Sequence, residues 1–194
     1  MHPRLIKCTK SFAAIATAAL AALFLLTSCA TPPLANARLG LQLAPADLGE
    51  DIALQQHLTI ERNGKTNQLD SALEVDATHL QLVGLAFGQR VLSLQYDGKT
   101  MTEWRHVMLP AQVRAQDILE DLQLTLWPIA AIQKALPAGW RIEDRDLQRD
   151  LYLGDQLICE IHYSAMPRWS GTVQLENLRY HYTITIQSQQ NNSD

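Results

Sequence analysis

Residues 118–129 read Ile118-Leu119-Glu120-Asp121-Leu122-Gln123-Leu124-Thr125-Leu126-Trp127-Pro128-Ile129. Ile118, Leu122, Leu126 and Ile129 recur at spacings of 4, 4 and 3, with Leu119 beside Leu122 and Leu126, as an apolar helical stripe requires. The pattern covers 113–136. Pro128 lacks an amide donor and disfavours helix at Trp127, so the spacing predicts a break there and a second short helix over 129–135, ended by Pro137-Ala138-Gly139.

Outward from this stretch the period changes to two. From about residue 38 to 109 the chain reads as a meander of strands. In 52–60, Ile52, Leu54, Leu58 and Ile60 fall on one face, Gln56 being the exception, and Asn63-Gly64 can turn the chain tightly. Further strands are predicted near 67–76, 78–86, 90–96 and 99–108, with a hairpin at Asp97-Gly98. After Trp140 strands resume: Leu151 and Leu153 lead to Gly154-Asp155, and Leu157, Cys159, Ile161 and Tyr163 alternate with Ile158, Glu160 and His162. The last strand is predicted over 178–187, with Leu178, Tyr180, Tyr182, Ile184 and Ile186 on its dry face, and the polar 188–194 is expected to fray. Nine or ten antiparallel strands, each apolar on one face, need a cover, and the helices at 113–136 are the candidates. The fold class expected is mainly β (α+β): a curved antiparallel sheet or unclosed half-barrel with a central helical lid, in a single domain over 38–187.

The first residues carry a different signal. MHPRLIKCTK is basic, and residues 12–26, FAAIATAALAALFLL, form an apolar run shorter than the roughly 20 residues that span a bilayer core. Leu26-Thr27-Ser28-Cys29 follows as a lipobox, so 1–28 is expected to be a lipoprotein signal peptide, with Cys29 lipidated at the mature N-terminus and 29–37 a tether. Two or more acyl chains anchor stably, each buried methylene contributing about 0.8 kcal/mol. Ala30 in place of Asp implies, by enterobacterial-type sorting, a periplasm-facing outer-membrane location. Removal of Arg4, Lys7 and Lys10 leaves 13 basic against 20 acidic residues, 13 − 20 = −7, which excludes nucleic-acid binding through clustered cations. Cys159 is then the one free thiol, and no intrachain disulfide can form.

Catalytic readings fail on spacing. Cys159 and His162 are three apart on a strand and so face opposite ways, which argues against a metal pair. No Gly-x-Ser-x-Gly elbow, His-Glu-x-x-His or phosphate-cradling glycine loop occurs. No catalytic residue, metal or cofactor is therefore assigned, and the chain is not expected to be an enzyme. Arg141-Ile142-Glu143-Asp144-Arg145-Asp146 mixes signs and is read as a solvated surface segment. The aromatics have two readings, packed core or the lining of an apolar cavity. Trp104, Leu122, Leu126, Trp127, Ile129, Tyr180 and Tyr182 are the candidate lipid-binding residues under the second.

Asp121-Leu122-Gln123-Leu124-Thr125-Leu126-Trp127-Pro128, the helix ending at Leu136-Pro137, Arg149 before a strand, the Gly154 turn, Ile161-His162-Tyr163 and Tyr180-His181-Tyr182 resemble bacterial lipoproteins of domain-of-unknown-function family 3261 over about 38–187. That family is similar in architecture to the lipoprotein carriers of the LolA and LolB type, in which a helical lid covers an apolar cavity that accepts acyl chains. Its members sit among genes for aryl polyene lipid synthesis and export. The resemblance implies an acyl or polyene lipid as partner, with other envelope transport proteins beside it and the membrane engaged through Cys29. The function expected is that of an outer-membrane lipoprotein that binds or accepts such a lipid during envelope lipid transport. The alternative is a non-catalytic interaction scaffold of an envelope biogenesis complex. A void of roughly 300 Å³ or more would favour the container.

Overall fold

The computed structural model describes residues 38–190. The expected signal peptide, lipidated Cys29 and tether, and residues 191–194 of the tail, lie outside them. Within them, after a 3-10 turn at Pro45–Leu48, are ten strands and two α-helices: β1 (Ile52–Arg62), β2 (Lys65–Val75), β3 (Leu80–Ala86), β4 (Gln89–Tyr96), β5 (Met101–Arg105), α1 (Ala115–Leu126), α2 (Ile129–Ala135), β6 (Trp140–Arg145), β7 (Gln148–Leu153), β8 (Gln156–Tyr163), β9 (Gly171–Asn177) and β10 (Tyr182–Gln190). All the strands form one antiparallel sheet in the order β5-β4-β3-β2-β1-β10-β9-β8-β7-β6. The sheet is curved and unclosed, with β5 and β6 at its two edges. This is the expected architecture.

Two hairpins set the register of the first half. Asn63-Gly64 joins β1 to β2 with φ of 53° and 70°, and Phe87-Gly88 joins β3 to β4 with φ of 52° and 73°. Both are two-residue turns with positive φ at each position, whose twist matches that of the strands they connect. Pairing follows directly, Arg62 facing Lys65 and Ala86 facing Gln89. These turns lie at one end of the sheet, together with the β7–β8 and β9–β10 turns and the last residue of β5. The β2–β3, β4–β5 and β6–β7 turns lie at the other end.

Helix α1 lies on the concave face. Its buried residues include polar ones: Ala115, Leu119, Glu120, Leu122, Gln123, Leu124, Thr125 and Leu126. Its second half is buried on every side, so the expected helical lid is packed into the core. Around it Leu54, Leu73, Leu80, Leu94, Trp127, Ile132, Ile161 and Leu175 are at most 2 % exposed. The break falls as predicted, with Trp127 extended before Pro128. Helix α2 is attached more lightly, Ile132 being its buried residue.

Four readings need correction. Residues 38–44, expected to belong to the meander, pair with no strand and run as an extended strap along α1. The charged run at 141–146 forms edge strand β6, in which Arg141 and Arg145 are exposed as expected but Ile142, 4 % exposed, turns into the core. There the face that turns inward carries Asp144, whose partners lie below the sheet surface. The last strand starts at Tyr182 and not at Leu178, because His181 takes φ 53° and the Tyr180 N–H donates to Asn177 Oδ1 at 2.9 Å, closing a turn. Its other end runs past 187 to Gln190, which faces Leu54. Strand β9 was not separated from its surroundings by sequence, although Val173 and Leu175 alternate onto the core. Gln56, the exception on the dry face of β1, is buried there because Ser71 and Ser188 flank it: its amide nitrogen donates to Ser188 Oγ at 3.0 Å and its Oε1 accepts from Ser71 Oγ at 3.2 Å.

Candidate functional site

The strap, α1 and β10 meet in a partly buried charged cluster. Arg38, where the described chain begins, donates from Nη1 to Asp121 Oδ1 at 2.7 Å and from Nη2 to the Tyr182 hydroxyl at 3.0 Å. That hydroxyl donates to Asp121 Oδ2 at 2.6 Å, and Asn177 Nδ2 reaches it at 3.3 Å. Asp117 and Glu120 stand 3.6 and 3.8 Å from the same guanidinium, whose face lies 4.7 Å from the Tyr180 ring centre. Farther along, the Gly40 N–H donates to Glu120 Oε2 at 2.6 Å. Leu43 and Gln123 exchange two hydrogen bonds, at 3.1 and 2.8 Å, and Trp127 Nε1 donates to the Ala44 carbonyl at 3.1 Å. The polar side of α1 is thus consumed in holding the strap. No backbone strand partner is available to the strap, so side chains satisfy its amides instead.

Burial governs the ionisation of this cluster. Asp121 and Glu120 are both raised above the ordinary carboxylate range by burial, which Arg38 only partly counters. Burial and the neighbouring Asp121 raise the Tyr182 phenol. Burial works against the Arg38 charge, but Asp121, Tyr182, Asp117 and Glu120 outweigh it and its pKa is pushed up. A carboxyl whose folded pKa lies above its unfolded one keeps a proton that the unfolded chain has already released. Stability from Glu120 therefore falls as pH rises from about 4.5 through its raised folded value, and is regained on acidification. Glu120→Gln is expected to flatten that slope without loss of stability at neutral pH, since an amide oxygen can still accept from Gly40. Melting curves of both proteins across this range check it; a steeper slope in the variant would contradict it.

The far end of α1 has its own clamp. Arg149, 1 % exposed, donates from Nη1 to the carbonyls of Leu124 at 2.6 Å and Trp127 at 2.9 Å. Tyr163 Oη donates to the Thr125 carbonyl at 2.8 Å. These are carbonyls that the helix end leaves unpaired, and a cation there also complements the helix dipole. Asp144 balances the charge, accepting from Arg149 Nε at 2.7 Å and Nη2 at 3.1 Å and from Arg168 Nη2 at 2.7 Å.

Between the two clamps the concave face is closed, but toward the β1–β2 hairpin it is not. Leu58 and Ile60 of β1, Leu69 of β2 and Ile184 of β10 continue the apolar face and are half-buried. They are cross-strand neighbours: Leu58 faces Leu69 and Ile186, and Ile60 faces Ile184. At the β1–β2 and β9–β10 turns an open hollow of about 490 Å³ is lined by Glu61, Arg62, Lys65, Glu176, Asn177, His181 and Tyr182 among others. A second open hollow, of about 530 Å³, lies along α2, between Leu43 and Asp47 on one side and Pro128, Ala131 and Ala135 on the other.

The sequence-derived candidates divide among these places. Leu122, Leu126 and Trp127 are buried in the core, and Tyr182 joins the charged cluster through its hydroxyl. Ile129 packs at the core margin and Tyr180 beside Arg38. Trp104 is not with them: it stands on edge strand β5, 42 % exposed, with the Arg90 guanidinium 4.5 Å from its ring centre. Cys159 faces inward and His162 is outward and exposed, 3.1 Å from Glu160, so the two do not meet. Burial raises the Cys159 thiol well above its usual value, which leaves it unreactive. Among the described residues no group of His, Cys, Asp and Glu is placed to hold a metal, and no helix is long and apolar enough to cross a membrane. Arg38, Glu120, Asp121, Gln123 and Arg149 were not singled out as functional from sequence. The signal was present in Leu122-Gln123-Leu124-Thr125-Leu126, where leucines on all sides of the helix mean that the intervening polar groups are buried too.

No curated protein matches the chain. Among solved structures it is similar to a LolA superfamily protein from Nitrosomonas europaea, at 9 % identity and a TM-score of 0.45, covering 76 % of this chain and 90 % of that one. It is also similar to a DUF1329 family protein from Desulfovibrio piger, at 13 % identity and a TM-score of 0.34, covering 75 % and 90 %. Residues 53–190, from the second residue of β1 to the last of β10, match the family described as protein of unknown function (DUF3261), and the chain belongs to that family.

Proposed function

We propose that the protein is a non-catalytic lipoprotein of the outer membrane, anchored through Cys29, that accepts an acyl chain on the uncovered part of its concave face. The supporting observation is the half-buried row Leu58, Ile60, Leu69 and Ile184, which extends the core surface without being closed over. An acyl chain laid along it removes apolar area from water at about 25 cal/mol per Å². The hollow at the β1–β2 and β9–β10 turns, walled by Arg62 and Lys65 together with Glu61 and Glu176, offers polar groups of both signs to a headgroup. Half-buried Ile118 of α1 is assigned to the other side of the entrance, so that a chain enters between helix and sheet, and the clamps at both ends of α1 keep that entrance in place. Aryl polyene lipids fit the same description as acyl chains, being long and apolar with one polar end.

Ile60→Glu places a charge in the row at a position that is only half-buried, so the fold is expected to persist. Uptake of a fluorescent fatty acid should fall by at least about tenfold, the cost of leaving a carboxylate against an apolar chain. Unchanged uptake with unchanged melting would overturn the reading. The packed interior favours the scaffold as second reading, and failure of the unmodified protein to bind any acyl probe would select it.

A further inference from the structure

We infer that the end of the sheet bearing the β1–β2 and β3–β4 hairpins docks on an anionic phospholipid surface. The inference does not rest on acyl-chain uptake.

Three observations coincide at that end. The first is apolar exposure. Phe87 is 100 % exposed at the β3–β4 turn, and Val107 and Met108, just past the same end of neighbouring β5, are 92 % and 62 % exposed. Phe87 also sits at φ 52°, a conformation that bulky residues avoid, whereas the β1–β2 hairpin fills the equivalent position with Asn63 at φ 53°. The fold gains no packing from the phenyl ring and bears its backbone cost. A wedge of apolar side chains in the interfacial layer accounts for both, as it does for amphipathic segments at membrane surfaces.

The second observation is charge polarity in a chain that is acidic overall. Arg62, Lys65, Arg90, Arg105, Arg114 and Arg179 occupy this end, against Glu61, Asp117, Asp155 and Glu176, and Asp117 is already engaged by Arg114 and Arg38. The opposite end carries Asp47, Glu50, Asp51, Asp76, Asp97 and Asp146 around its turns, where Lys99 and Lys134, the latter on the same hollow as Asp47, are exposed while Arg145 and Arg168 are paired with Glu143 and Asp144. An anionic surface attracts the first end and repels the second, which orients the domain. The third is chain geometry. Arg38 lies on Tyr180 and Tyr182 at this same end, and nine peptide steps separate it from Cys29, at most about 30 Å of chain. With the Cys29 anchor of the proposed function, this length of chain lets the Phe87 end reach the bilayer.

The test uses the full mature protein in vesicles of phosphatidylglycerol and phosphatidylethanolamine, with acylation of Cys29 read by mass spectrometry. An environment-sensitive fluorophore is placed at Phe87→Cys, at Val107→Cys with Phe87 kept, and at Asp97→Cys as the opposite-end control. Lipid-borne quenchers are expected to quench the labels at 87 and 107 and not the label at 97. Arg90→Glu should lower the docked fraction ratio at least about fivefold, the contribution of one basic side chain near an anionic surface. Equal quenching at 87 and 97, or docking unchanged by Arg90→Glu and by added salt, would overturn the proposal. If Cys29 proves unacylated, the labelled chain is floated with the same vesicles, and failure to float at low salt overturns it. Loss of fatty-acid uptake with docking intact would count only against the acyl-chain reading.

Discussion

Arg149→Met is expected to destabilise the protein by about 3–5 kcal/mol, the largest single loss among the polar residues. The guanidinium is almost completely buried and serves two elements: it neutralises Asp144 of edge strand β6 and caps the carbonyls of Leu124 and Trp127 at the end of α1. Methionine fills much of the volume but donates nothing, so two buried carbonyls lose their partner and Asp144 retains only Arg168. Arg149→Lys should recover little, because an ammonium cannot span Asp144 and both carbonyls as a planar fork does. Urea denaturation measures the change. A loss below about 1 kcal/mol in both variants would mean that α1 is held by packing alone.

Trp127→Ala is expected to cost a further class of interaction, about 3–5 kcal/mol from a cavity in the middle of the core. Trp127 is 0 % exposed, and its Nε1 is the strap's last tie, at the Ala44 carbonyl. The strap beyond Leu43 should therefore loosen as well, visible as faster amide exchange at Leu43 and nearby residues. The two effects should not add. The carbonyl that Arg149 caps is the backbone group of Trp127, which the alanine variant keeps but no longer fixes with a packed side chain, so the double variant is expected to lose less than the sum of the single ones. Additivity within a few tenths of a kcal/mol would show that the clamp and the core are independent.

Much of the architecture was legible because period is a local property. The alternation of Ile52, Leu54, Leu58 and Ile60, the Asn63-Gly64 turn and the 4-4-3 apolar pattern each follow from a few neighbouring residues, and each appears where expected. What failed depended on distant partners. Asp144 looked solvated because its neighbours are charged, yet its partners Arg149 and Arg168 approach from other strands and loops. Leu178 and Tyr180 fit the period of the last strand, and the turn wins because Asn177 and the positive φ of His181 stop the ladder. Residues 38–44 were apolar enough to pass as strand, but Glu120 and Gln123 across the core claim their amides. Of the candidate site, the helix residues and Tyr182 were recognisable by type. The half-buried row was visible only as strand residues, since which part of a sheet a helix leaves uncovered is settled by packing.

The most direct test of an acyl-accepting concave face is photolabelling of the full protein with a diazirine-bearing fatty acid, followed by peptide mapping of the adducts. Adducts on β1 at Leu58 and Ile60, on β10 at Ile184, and on Ile118 of α1 are the predicted result. Adducts confined to the hollow along α2 or scattered over the exterior, or none above a probe-free control, would contradict the account.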